Sequence, residues 1–196
     1  TKNGTPLVAY LLSSQSYPDR MIDIEGTTAM VIPRGNMGRT YPPSLFYNCI
    51  KVVKLKEKTV LLVGNGSHTD YIETMVPRES DLEEPVSEIL QVLGCERDEQ
   101  KTPRILGIAS TDELMLGLAS EKGLDVKMSQ AEPGKAYYVS TKFVEVGKYF
   151  LEDFSAQTAL QMINIFKETE PFRGFTDYLG SAAANLIQGK LDLACD

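Results

Sequence analysis

A single histidine, His68, is found in the 196 residues of the chain. One imidazole excludes a multi-histidine metal centre. Cysteine is also sparse. Cys49, Cys95 and Cys195 are odd in number, irregular in spacing, and form no CxxC. That excludes a disulfide framework and a zinc site of paired cysteines, and it reads as a reduced, cytoplasmic protein. No apolar run is long enough to span a bilayer. No basic start followed by an apolar core marks a secretory signal, so no membrane partner is expected. Positive charge is in deficit, with 20 Lys and Arg against 27 Asp and Glu and a net charge of −7. The basic residues are scattered and not interleaved with aromatics, which excludes a phosphate-neutralising surface for nucleic acid. A small anion can still be held by a few local donors.

What is present suits a folded domain. The chain is 42% hydrophobic and 24% charged, enough apolar material for a core without staples. Strand signals fall at residues 7–13, 27–33, 46–54, 59–63, 104–109, 113–119, 124–128 and 136–141. Several are joined by short turns, which suits antiparallel pairing better than regular βαβ alternation. Helix signals fall between and after them. Ser67-His68-Thr69-Asp70 has the S-x-x-D form of a capping box. Asp81 and Glu84 open a second helix, whose apolar face of Val86, Ile89, Leu90 and Leu93 ends at Gly94. Two closing helices are expected, one through Ala159, Met162, Ile163 and Phe166. The other runs through Leu179, Ala182, Ala183, Leu186 and Ile187 and stops at Gly189. The expected class is α+β, two stacked antiparallel sheets covered by helices. No linker divides the chain, so one domain over residues 1–196 is expected. Asn3-Gly4 is a hairpin turn signal with only its second strand in view, so a strand is expected to precede it.

Five segments hold candidate site residues. SSQSYPDR places Ser13, Ser14 and Ser16 beside Arg20; hydroxyls and a guanidinium suit a phosphate or carboxylate, although a polar surface turn has the same composition. In FYNCIKVVKL, strand alternation puts Tyr47, Cys49 and Lys51 on one side and Asn48, Ile50 and Val52 on the other. Tyr47 and Asn48 offer a phenol and an amide; Cys49, among apolar neighbours, reads as buried and inert. In GNGSHTD the glycines permit a tight turn, and free N–H groups at a helix start bind anions. Asn65, Ser67, His68 and Asp70 are its candidates, and a purely structural cap explains them equally well. It is neither a Walker nor a Rossmann loop. Glu96 opens a charge run, Glu96-Arg97-Asp98-Glu99, and Thr102-Pro103-Arg104 follows it at a strand entrance, where Arg104 can hold an anion. GKAYYVST, 134–141, is the fifth segment.

Taken in order, SSQSYPDR, YNCIKVV, GNGSHTD, TPRI and GKAYYVST resemble the archaeal-type IMP cyclohydrolase family, the stand-alone enzyme of the last step of purine synthesis. The resemblance runs from Leu7 to about Thr141. It implies a four-layer αββα fold like that of N-terminal nucleophile hydrolases, without a self-processed nucleophile. It also implies a purine ribonucleotide as the small-molecule partner. Gln15 departs from the pattern, standing where a basic residue is expected.

The implied reaction closes the ring of 5-formamidoimidazole-4-carboxamide ribotide. The carboxamide nitrogen attacks the neighbouring formyl carbon, and water leaves. Both groups sit on one ring, so holding them in contact supplies effective molarity. Donors at the formyl oxygen matter most, because an amide is a poor nucleophile. Modest acid–base help removes the amide proton and expels hydroxide as water. No cofactor or metal is expected for this chemistry. On the resemblance, Arg20, the serines and Arg104 anchor phosphate or orient the base, and Tyr47 and Asn48 polarise the formyl group. Asn65, Ser67, His68, Asp70 and Thr102 shape the pocket, and Glu96 moves protons. Two rivals remain open: an amidohydrolase with Thr1 as N-terminal nucleophile, and a nucleotide-binding relative without catalysis. A homo-oligomer is compatible with the sequence.

Overall fold

The computed structural model describes residues 5–14, 16–35, 43–76, 81–142, 145–150, 156, 158–168, 173, 178–187 and 190–196. Thr1, Asn3, Gly4, Gln15 and Gly189 lie outside them, as does the side chain of Phe166. The strands are β1 (Leu7–Ser13), β2 (Arg20–Glu25), β3 (Thr28–Pro33), β4 (Tyr47–Lys54), β5 (Thr59–Gly64) and β6 (Arg104–Ala109). They continue as β7 (Glu113–Ser120), β8 (Gly123–Gln130), β9 (Lys135–Ser140), β10 (Glu145–Phe150), β11 (Tyr178–Ile187) and β12 (Lys190–Cys195). The helices are α1 (His68–Met75), α2 (Glu83–Leu93) and α3 (Ala159–Glu168).

Strands β2 to β8 form one antiparallel meander in sequence order, a seven-stranded sheet. Its two faces read off the alternation of its strands. Val60, Leu62, Leu106, Ile108 and Met115 point to one face, where they pack on Ile72 and Val76 of α1 and on Val86 and Leu90 of α2. Gly117 of β7 lets α2 come close: a Cβ there would lie 2.7 Å from the Leu90 side chain. The opposite face carries Ile22, Ala29, Val31, Ile50 and Leu61, and on it lies a three-stranded sheet, β1-β11-β12, through Val8, Tyr10, Leu12, Ala182 and Ala184. The β9–β10 hairpin covers the rest of that face through Val146, Tyr137 and Val139 against Leu116 and Leu118. Helix α3 closes the far side, with Ala159, Met162 and Ile163 packed on Ala183, Ala9 and Leu11. The order of layers is helix, sheet, sheet, helix, the αββα sandwich expected.

Three local expectations are corrected. Residues 179–187 are strand β11, not a closing helix. Ala182 and Ala184 face the inner core while Ala183 faces α3. Both sides of the strand are buried, so no polar alternation betrays it, and its alanines read as helix. Strands β2, β10 and β12 also carry no clear signal and were not expected. Second, Ser67 makes no side-chain cap bond to α1. Thr69 ties the turn in another way, its Oγ1 lying 2.7 Å from the Asn48 carbonyl and 2.9 Å from the Gly66 carbonyl with one proton to donate between them. Asp70 returns no capping bond and instead accepts from Asn48 and Lys51. Third, β4 is bulged: Ala29 pairs Ile50 and Met30 pairs Asn48, so Cys49 has no partner opposite. The extra residue resets the alternation. Cys49 and Ile50 both face the inner core. Lys51 therefore shares a face with Asn48, not with Tyr47.

Candidate active site

Register places the sequence candidates at one end of the seven-stranded sheet. Arg20 begins β2, Tyr47 begins β4 and Arg104 begins β6, while the antiparallel neighbours β3 and β5 end there at Pro33 and Gly64. The turns beyond are tied together, since Gln100 Nε2 donates to Ser16 Oγ at 3.0 Å.

Two groups of side chains result, on opposite faces of the sheet. The inner group is Tyr47, Arg20 and Tyr10. The Tyr10 and Tyr47 hydroxyls lie 2.8 Å apart, with the rings edge-on and their centroids separated by 6.4 Å. Both rings and Arg20 are buried. Burial pushes the Tyr47 phenol up to about 12, against the pull of the Arg20 charge. Tyr10 is raised too, chiefly by burial. Arg20 Nε reaches the Tyr17 carbonyl at 3.4 Å. Nothing in the sequence singles out Tyr10, whose only signal is a place on the buried side of β1 with Val8 and Leu12.

The outer group surrounds the β5–α1 turn. Asn65 bridges to β6, with Nδ2 donating to the Pro103 carbonyl at 2.8 Å and Oδ1 accepting from Ile105 N–H at 2.7 Å. His68 is fully buried, with Nε2 2.9 Å from the Ile105 carbonyl. That carbonyl can only accept, so Nε2 carries the proton and Nδ1 is left as an acceptor without a partner among the described residues. Burial lowers the His68 pKa to about 4, so the ring is neutral. Arg104 is buried and ion-paired with Glu96. Burial raises the Glu96 carboxyl, opposed by the Arg104 charge. These groups meet over Gly66, where a Cβ would lie 3.2 Å from both Arg104 Nη1 and His68 Nδ1 and would strike the Glu96 carboxylate.

Other candidates are held in place locally. Asn48 projects to the helix face and donates to Asp70 Oδ1 at 2.6 Å, so it is not brought beside the Tyr47 hydroxyl. Lys51 Nζ bonds the same oxygen at 3.0 Å and pairs with Glu73. Thr102 is bound to Asp98 through both N–H and hydroxyl. Ser14 Oγ accepts from Tyr17 N–H at 3.1 Å. Ser13 ends β1 opposite Tyr178. Ser67, beside His68, is half-buried. Burial pushes the Cys49 thiol up, which leaves it inert. Among the described residues no cluster of His, Cys, Asp and Glu is placed to hold a metal. A cavity of about 100 Å³ lies at the other end of the sandwich, lined by Leu7, Ala109, Lys135, Tyr137 and Met162.

The model of the IMP cyclohydrolase-like protein family matches residues 1–176. The chain belongs to that family. It is 29% identical to a protein named IMP cyclohydrolase from Methanococcus maripaludis (strain C7) over 88% of this chain and 85% of the relative. It is 30% identical to one of the same name from Methanocaldococcus jannaschii, covering 88% and 83%. A third, from Methanosphaera stadtmanae, is 30% identical over 94% and 88%. Membership agrees with the resemblance read from the five motifs, four of which fall at the end of the sheet just described. No helix among the described residues is long and apolar enough to cross a membrane.

Proposed function

We infer that this chain closes the ring of 5-formamidoimidazole-4-carboxamide ribotide to give IMP, the cyclohydrolase reaction of its relatives. The observation that carries this reading is that one end of one sheet holds a buried phenol near a guanidinium on its inner face and an ion-paired carboxylate on its other face. Those are a directed donor and a proton carrier, the two functions that an intramolecular amide condensation needs.

In the proposed mechanism Tyr47 donates to the formyl oxygen as the carboxamide nitrogen adds to the formyl carbon. The amide nitrogen loses one proton and the formamido nitrogen loses another. Both leave with the formyl oxygen as water, and the ring keeps one new carbon–nitrogen bond. Glu96 carries protons, and Arg104 holds its carboxylate in place. Ser14 and Ser16 accept hydrogen bonds at their oxygens from Tyr17 and Gln100, which leaves their own O–H protons to donate to a phosphate with Ser13 beside them. Arg20 serves both the phosphate and Tyr47. Asn48, Asn65, Ser67, His68, Asp70 and Thr102 shape the corner without touching the reacting atoms.

Ring closure is followed by its change in ultraviolet absorbance. The purified chain is expected to close the ring with saturation kinetics. Tyr47→Phe should lower kcat by about a hundredfold with KM little changed, as for a donor felt in the transition state. Arg20→Ala should raise KM as well as lower kcat. IMP binding without closure would mark a non-catalytic relative, and unaltered kinetics in both variants would remove these roles.

A further inference from the structure

We propose that Tyr10 is a positioning residue that donates its hydrogen bond to Tyr47 and thereby aims the Tyr47 proton at the substrate. This rests on the cyclohydrolase reading and names a residue that reading does not require.

A phenol oxygen accepts two hydrogen bonds and donates one. The Tyr10 and Tyr47 hydroxyls are 2.8 Å apart, and one of them must donate. Arg20 decides which. Its guanidinium is buried on the same inner face, and its charge is the leading influence opposing burial at Tyr47 but a minor one at Tyr10. Negative charge is thereby favoured on the Tyr47 oxygen, which makes that oxygen the better acceptor. The low-cost arrangement has Tyr10 O–H donating to Tyr47 across the 2.8 Å gap. The Tyr47 proton then points away from Tyr10.

Two consequences follow for the reaction. The Tyr47 proton is fixed in direction before substrate arrives, so no hydroxyl reorientation opposes the transition state. Donation from Tyr10 also makes Tyr47 a stronger acid than burial alone would leave it. The edge-on packing of the rings holds the two oxygens at bonding distance without any contribution from solvent. Tyr10 reaches the chemistry only through Tyr47.

The test is a double-mutant cycle on ring closure. Tyr10→Phe removes one oxygen and keeps the ring. It is expected to lower kcat roughly tenfold with KM within about twofold, the size of one lost hydrogen bond. In a Tyr47→Phe background the same change is expected to have no effect on kcat. An equal loss in both backgrounds, or no loss in the first, overturns the proposal. If wild-type enzyme closes no ring, it is the cyclohydrolase reading that fails. A second readout is taken on the wild-type protein and needs no activity. With tyrosine labelled at Cζ and Tyr47 assigned by its substitution, the Tyr47 carbon signal should stand apart from those of the exposed Tyr17 and Tyr71. A Tyr47 signal coincident with those of the exposed tyrosines overturns the donation from Tyr10.

Discussion

His68 ties the stability of the fold to pH. Unfolded, it takes up a proton near its ordinary value of 6.5; folded, burial delays this to about 4. Between those values the unfolded chain binds more protons, so stability falls as pH falls. The His68 contribution is complete above about pH 6.5 and is lost by about pH 4, a change of up to about 3 kcal/mol. Glu96 acts in the opposite sense, because its folded carboxyl is raised and its share is lost as pH rises. Urea midpoints measured across this window should fall on acidification. His68→Asn should flatten that slope relative to wild type, and an unchanged slope would place the acid sensitivity elsewhere. The same burial answers what the lone histidine does. Its imidazole bonds the β6 backbone at Ile105 and takes no direct part in the proposed chemistry.

The element on which the outer corner depends is the start of α1. Thr69 fastens it, one hydroxyl being within bonding distance of the Asn48 carbonyl in β4 and the Gly66 carbonyl in the β5–α1 turn. Thr69→Val keeps the shape and removes those bonds, and it should cost about 1–2 kcal/mol, read as a lower Tm with the fold retained by circular dichroism. At this scale the helix face of Val86, Ile89 and Leu90 is legible by periodicity, because the other side of α2 is wet. The strands at 59–63 and 104–109 are buried on both faces and are legible as short apolar runs bounded by turn residues. The sequence is not legible where a strand dry on both faces is built of alanine, as in β11, nor where register decides, as at the Cys49 bulge. The turn at GNGSHTD was recognised, yet the hydroxyl that fastens it belongs to Thr69, not Ser67. Both are small hydroxyl residues at a helix start, and only the backbone angles there separate them. Tyr10 escaped notice because its partner lies 37 residues away, and nothing local marks such a pair.

For the whole molecule, the sheet topology explains why distant segments lie at one end of the sandwich. A meander of seven antiparallel strands returns every second turn to the same end. The turns after β1, β5 and α2, which carry the serines, Gly66 and Glu96, therefore gather beside the strand starts that carry Arg20, Tyr47 and Arg104. The apolar middle, Val8, Leu12, Ile50 and Leu61 among others, keeps the sheets in register so that Tyr10 on one meets Tyr47 on the other. With a net charge of −7, the overall field of the molecule does not attract a nucleotide, so the proposed function requires a few local donors. The most direct measurement is a crystal structure with IMP bound. The account predicts the purine carbon that came from the formyl group within hydrogen-bonding reach of the Tyr47 hydroxyl, with the phosphate at the Ser14–Arg20 turn. IMP seated instead in the cavity between Leu7 and Tyr137 at the opposite end would contradict it.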